Sequence, residues 1–188
     1  MLRVLCLLLL CAPVAAQPFE TIEVGLSGVG TVADAPFTDF WDPGPGIEVW
    51  AATPFYLGDF RLGLAAAWHT ASGAAADPAV PDFVSFYTSA GWSVGIGLPG
   101  GVQLAPGVRV GLFNMRFDTD DPAAVRSEAE LTAGFDLRAS VPIASGWRLT
   151  AGGSAVRMFT AERIDLGFVQ VGVSRAFRTP EWLREALR

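Results

Sequence analysis

The chain of 188 residues is long enough for one domain with a substantial interior. It is 51% hydrophobic with a formal charge of −6, and all 13 of its basic residues are arginine. No basic cluster exists, which argues against nucleic acid as a partner; past the first segment the apolar residues are dispersed among glycine, serine and charge rather than massed as in a soluble core.

The N-terminus carries Arg3 and then an apolar stretch, Val4 to Val14, too short to span a bilayer. Val14-Ala15-Ala16 suits a small-residue cleavage site before Gln17, so residues 1–16 are expected to form a cleaved export leader. Both cysteines, Cys6 and Cys11, fall inside it, which leaves the mature chain without thiol chemistry. A lipoprotein reading of Cys11 is opposed by Leu10, which stands where a small residue is wanted.

From Thr21 onward, apolar and polar residues alternate. Thr21 to Gly30 sets Ile22, Val24 and Leu26 against Glu23, Gly25 and Ser27. A strand separates such sets onto two faces, whereas a helix scatters them. Gly46 to Thr53 sets Ile47, Val49 and Ala51 against Glu48, Trp50 and Ala52. Phe60 to Thr70 and Phe83 to Leu98 repeat the pattern. Val102 to Phe117 carries Val108, Val110 and Leu112 opposite Arg109 and Gly111, then changes parity at Phe113, Met115 and Phe117, which predicts a bulge. Ser127 to Val141 is the clearest case, with apolar residues at every odd position from Ala129 and polar residues or glycine at every even one. Trp147 to Phe159 alternates as well, and Ile164 to Phe177 does so with one parity change near Phe168 and Val169.

These stretches predict eight strands, most of them nearer the length of a tilted membrane-spanning strand than of a typical globular one. The connections alternate in kind. Thr31–Pro45, Ala71–Asp82 and Asp118–Arg126 are long and acidic, and Thr160–Arg163 joins the last pair. Pro54–Asp59, Pro99–Gly101 and Pro142–Gly146 are short and rich in turn formers. Long loops on one side and tight turns on the other is the layout of a transmembrane barrel with its long loops outward.

In this layout, and in the strand that ends Gly172-Val173-Ser174-Arg175-Ala176-Phe177, the chain resembles the small outer-membrane barrel proteins of the OmpA/OmpX type. The resemblance covers Gln17 to Phe177 and departs from the family in running on for residues 178–188. It implies an all-β fold, an eight-stranded antiparallel up-and-down transmembrane β-barrel. It also implies an outer-membrane location with both termini periplasmic, contact with lipid and lipopolysaccharide, and use of the barrel-assembly machinery through the last strand. The expected state is a monomer, and no cofactor is expected. The tail, residues 178–188, predicts a short amphipathic helix with Thr179 as N-cap, Pro180 at its first position, and Trp182, Leu183, Ala186 and Leu187 on one side.

Lipid offers no hydrogen bonds, so the sheet must close on itself with its apolar face outward. The inward set then holds Glu23, Glu48, Glu128, Glu130, Asp136 and Asp165 with Arg61, Arg109, Arg138 and Arg148, which predicts an arginine–carboxylate network filling a narrow lumen. Phe55, Tyr56, Phe60, Trp147 and Phe177 at the short-turn ends, and Trp68, Phe83, Phe86 and Phe159 near the long loops, are expected as interfacial aromatics. Trp50 and Trp92, nearer mid-strand, suit the interior better.

His69, the single histidine, sits at the long-loop end of the third strand with Ser72 and Asp77 beyond it. His69-Thr70-Ala71-Ser72 faintly resembles the rim motif of lipid A-modifying barrel enzymes, but its spacing differs, and a rim histidine without chemistry is the plainer reading. Asp118-Thr119-Asp120-Asp121 lacks the glycine and distal glutamate of a calcium loop and reads as a solvated acidic loop. The leading expectation is therefore a non-enzymatic, structural or loop-presenting outer-membrane barrel. A narrow channel for small or hydrophobic solutes, a lipid A-modifying enzyme centred on His69, and a secreted soluble lipocalin-like barrel are the alternatives.

Overall fold

The computed structural model describes residues 19–72, 80–120, 126–160 and 164–186. The expected leader, Asp77, Asp121 and the last two residues of the tail lie outside them. The strands are β1 (Thr21–Ala33), β2 (Trp41–Phe55), β3 (Gly58–Ala71), β4 (Phe83–Ser93), a short β5 (Ile96–Gly97), β6 (Gln103–Phe117), β7 (Ser127–Ala144), β8 (Trp147–Met158) and β9 (Ile164–Arg178). Consecutive strands pair antiparallel except β4 and β5, which both pair with β6, and β9 pairs back onto β1 over the whole length of β1. The sheet is a closed barrel with no free edge, so every wall amide can be bonded inside the wall.

β4 and β5 together make one wall strand, which brings the barrel to eight. Ser93 pairs with Gly107 and Ile96 with Leu104, in a single register. Between them Val94 N–H donates to the Pro106 carbonyl at 3.0 Å. Proline has no N–H with which to return that bond, so the ladder lapses there without a change of alignment.

Closure turns the apolar faces outward. Leu26, Val49, Leu64, Val110, Leu137 and Val171 are each more than half or nearly half exposed, while Ser27, Glu48, Arg61, Arg109, Thr132 and Ser174 are buried. This arrangement inverts a soluble barrel and rules out the lipocalin-like alternative, which needs its apolar residues inside.

Neither predicted parity break is a bulge. β6 and β9 keep one register against both neighbours throughout. Phe113 and Met115 of β6 and Leu166 of β9 point inward like the residues before them and are buried. The sequence pattern shifts because the lumen itself changes from polar to apolar near the loop end. The irregularities that do occur lie between Pro43 and Gly46 of β2 and between Pro142 and Ala144 of β7, at prolines that cannot donate to a ladder.

The first long loop is shorter than predicted, because β1 runs to Ala33 and β2 begins at Trp41. The gap holds a four-residue helix, α1 (Ala35–Thr38), which tucks Phe37 into the barrel mouth with 2% exposure. The tail forms α2 (Glu181–Ala186). Thr179 is buried but its hydroxyl makes no hydrogen bond, so it does not act as the expected side-chain cap. Its N–H instead donates to the Glu20 carbonyl at 2.9 Å, tying the tail to the start of β1.

Candidate functional site: the lumen

Three layers fill the lumen, and alternation along the strands supplies all of them. The central layer is built on Trp50, which projects inward from β2 and is 2% exposed. Two guanidiniums lie over its indole. Arg61 of β3 and Arg138 of β7 each stand 4.6 Å from the ring centroid. Cation–π attraction gains strength where water is excluded, which suits stacking inside a barrel.

The cations are held by carboxylates. Arg61 Nη2 donates to Glu48 Oε2 at 2.9 Å, and Arg109 Nη2 reaches Glu48 Oε1 at 3.3 Å. Glu48 therefore bridges two arginines through its two oxygens. Arg109 also donates to Ser89 Oγ at 2.8 Å and Ser154 Oγ at 3.1 Å, and its guanidinium lies over the Tyr87 ring at 5.1 Å. Arg138 lies 4.0 Å from Asp136. Glycine makes room for this: a Cβ on Gly63 would stand 2.9 Å from Glu48 Oε1. Two small voids lie beside these residues. One void beside Arg61, Arg109 and Arg138 measures about 10 Å³, and one beside Glu23, Asp59 and Arg138 about 30 Å³. A single water needs roughly 10–15 Å³, so neither void makes a passage.

Below this layer, toward the short turns, Ser174 Oγ donates to Glu23 and Arg148 donates to Ser140 Oγ at 2.9 and 3.0 Å. Above it the lining turns apolar. Tyr87 stacks on Phe168 with centroids 5.7 Å apart and accepts a bond from Thr132 Oγ1 at 3.2 Å. Phe113, Met115, Val156, Met158, Leu166 and Phe83 complete a cluster that Phe37 caps from above.

Of the charges expected in the lumen, Glu48, Arg61, Arg109, Asp136 and Arg138 come together, and Glu23 and Arg148 lie in the layer below. Glu128 and Glu130 share the inward parity but stand at the loop end of β7, where Glu128 is exposed. Asp165 is a correction. It faces outward and forms a half-exposed pair with Arg157, Nε to Oδ1 at 2.8 Å, because β9 keeps its parity through Phe168. The serines that share the arginine protons, Ser89 and Ser154, are inward members of the same alternation, which marks them as inward without saying which partner each meets.

The aromatics also divide. Phe55, Tyr56, Trp147 and Phe177 are exposed on the outer face at the short-turn end, with Phe60 half-buried beside them. Arg175 lies over both Trp147 and Phe177, at 5.3 and 5.1 Å. Trp68, Phe86 and Phe159 are exposed on the outer face nearer the loops. Phe83 is instead a buried lumen residue, and Trp92 is an outward one whose Nε1 donates to the Phe55 carbonyl at 3.2 Å. A concavity of about 860 Å³ forms a trough on the outer wall where Ala155 and Gly167 lie between Phe135, Phe159 and Val32.

His69 points inward and is 1% exposed. Its Nε2 bonds Ser85 Oγ at 3.0 Å, and its ring stacks on Phe83 with centroids 4.5 Å apart. Its hydroxyl partner is therefore Ser85 of β4 rather than Ser72, whose N–H donates to the Phe40 carbonyl at 2.9 Å. Among the described residues no cluster of three or more His, Cys, Asp or Glu side chains is placed to hold a metal ion. The loop acids serve the scaffold: Asp82 Oδ1 accepts from Ala71 N–H at 2.7 Å, and its carbonyl from Asp118 N–H at 2.8 Å.

No protein-family profile matches the chain, and no curated protein matches it in sequence. Solved structures do. Neisserial surface protein A superposes with a TM-score of 0.63 at 14% identity, over 84% of this chain and 96% of that one. The chain has the fold of the small outer-membrane β-barrels. The outer membrane protein OprG from Pseudomonas aeruginosa matches with a TM-score of 0.55 at 10% identity, over 87% of this chain and 99% of that one. Ail, the attachment invasion locus protein of Yersinia pestis, matches with a TM-score of 0.51 at 11% identity, over 84% and 97%. At such identities the likeness carries the architecture and not the activity.

Proposed function

We propose that this chain is an outer-membrane β-barrel of structural, loop-presenting type, closed to bulk solute by its own side chains. The observation that carries the reading is the central layer, in which Arg61 and Arg138 both stack on Trp50 while Glu48 bridges Arg61 and Arg109. A conducting pore needs a continuous wet path, and the voids in this layer have room for about one or two waters each. In this reading residues 1–16 are the export leader, the long loops face outward and both ends of the chain face the periplasm. Lipid and lipopolysaccharide contact the wall. The assembly machinery engages the strand ending at Phe177, and the barrel works as a monomer.

An enzymatic role centred on His69 is less well supported, because the imidazole lies inside the barrel beneath Phe37, away from the lipid-facing wall. Two measurements test the proposal. Fractionation is expected to recover the mature chain with outer-membrane vesicles. Planar-bilayer recording of the purified protein is expected to show no stable channel. A large, long-lived conductance would overturn the closed lumen, and recovery in the soluble periplasm would overturn the location.

A further inference from the structure

The mouth of the lumen carries features that the charged plug does not require. Phe37 reaches it from α1, outside the barrel wall, and is buried against His69, Trp41 and Phe83 with ring centroids 5.5, 5.7 and 6.1 Å away. Both the Phe37–His69 and Phe37–Phe83 contacts are edge-on. The floor beneath is apolar, made by Met115, Met158 and Leu166. His69 Nδ1, in a residue 1% exposed, has no hydrogen-bond partner among the described residues.

Ser85 Oγ lies 3.0 Å from Nε2 and 3.4 Å from the Ala67 carbonyl, so its single proton has two acceptors within reach. With Nε2–H donating to Ser85, Nδ1 is a bare acceptor; with Ser85 donating to Nε2, Nδ1 carries an unmet N–H. An unmet buried polar atom beside an aromatic cage is costly unless a partner meets it, and a hydroxyl, which both donates and accepts, serves either tautomer.

We propose that the barrel mouth is a binding cup for a small aromatic molecule bearing one hydroxyl, of phenol type, and that Phe37 is its built-in placeholder. A phenol ring takes the position of the Phe37 ring against Phe83 and Trp41, and its hydroxyl forms a hydrogen bond with His69 Nδ1. Phe37 leaves with α1. Among the described residues the segment around α1 is tied down by Ser72 N–H to the Phe40 carbonyl at 2.9 Å and Asp165 N–H to Asp34 Oδ2 at 3.4 Å. The cup ends at the charged layer, so it binds without conducting.

The test is a titration of the purified, folded barrel in lipid nanodiscs with phenol, with toluene as the donor-free control, followed by amide and imidazole NMR shifts. Saturable shifts confined to residues 35–41, 69 and 83–85 are expected, with phenol binding about tenfold tighter than toluene, the worth of one hydrogen bond. Phe37→Ala removes the placeholder and should tighten both ligands. His69→Phe should erase the preference for phenol, and His69→Gln, which keeps an acceptor, should restore part of it. Each variant is first checked for native strand content and an unchanged melt of the β8–β9 signals. Shifts limited to outward wall residues, equal affinity for the two ligands, or a phenol preference that survives His69→Phe in the folded barrel would overturn the proposal.

Discussion

Gly25 and Trp50 face one another as Cα partners across β1 and β2, and a methyl group on Gly25 would lie within the van der Waals envelope of the indole, nearest Cε2. The indole also donates from Nε1 to Ser27 Oγ at 3.4 Å. Gly25 is thus the floor on which the central plug rests. Gly25→Ala is expected to destabilise the barrel by about 1–3 kcal/mol through overpacking and to shift tryptophan emission to longer wavelength. Pairing it with Trp50→Leu should recover part of that loss. Reversible urea unfolding in lipid vesicles measures both; an unperturbed Gly25→Ala would place the indole elsewhere.

Glu48 is the hub of the charged layer. Removing it by Glu48→Ala leaves Arg61 and Arg109 facing each other without their shared anion, and breaking a buried pair from one side typically costs about 3–5 kcal/mol. Replacing all three residues together, with Arg61→Met and Arg109→Met, should cost less than the single change, because no uncompensated charge remains. The same unfolding titration gives the comparison. If the triple variant is the weaker fold, the network contributes net stability beyond charge balance.

The Arg157–Asp165 pair makes the contrasting case. Both side chains are nearly half exposed on the outer face, where solvent and headgroups screen the attraction. Arg157→Ala is expected to leave the unfolding midpoint unchanged within error. A shift comparable to that of Glu48→Ala would mean the pair is shielded in the membrane.

The wall can be tested by charge. Phe135, 71% exposed on β7, faces lipid in this reading. Phe135→Arg should cost about 2–4 kcal/mol if the position lies near the bilayer midplane. Folding yield into vesicles, compared with Phe135→Leu, reports it. Equal yields would remove lipid from that face.

Leu166 and Val169 distinguish a kept parity from a bulged one. Leu166 is 1% exposed inside the barrel and Val169 55% exposed outside it. Leu166→Ala should cost about 2–5 kcal/mol by leaving a cavity among packed side chains. Val169→Ala should cost much less, since lipid chains can fill the space. The reverse order would restore the parity change in β9.

Much of this protein was legible from residue order because a β-barrel is written in a period of two. Alternation at Ser127 to Val141, tight turns at Pro54–Asp59 and Pro142–Gly146, and longer acidic connections determined the strand number, the pairing order and the outward apolar face. They also named Glu48, Arg61, Arg109, Asp136 and Arg138 as inward charges, since a strand leaves each side chain only two choices. What alternation does not encode is the polarity of the inside along the barrel axis. The lumen is polar around Glu48 and apolar around Phe113 and Leu166, so a constant geometry looked like two parity breaks, and Asp165 and Phe83 were assigned to the wrong faces. Contacts across the lumen join strands distant in sequence, as Arg109 meets Glu48 and Ser154 and as Tyr87 meets Phe168. Only closure of the sheet decides those meetings. It also decides that Phe37, from a segment read as a loop, folds over His69 and shuts the mouth.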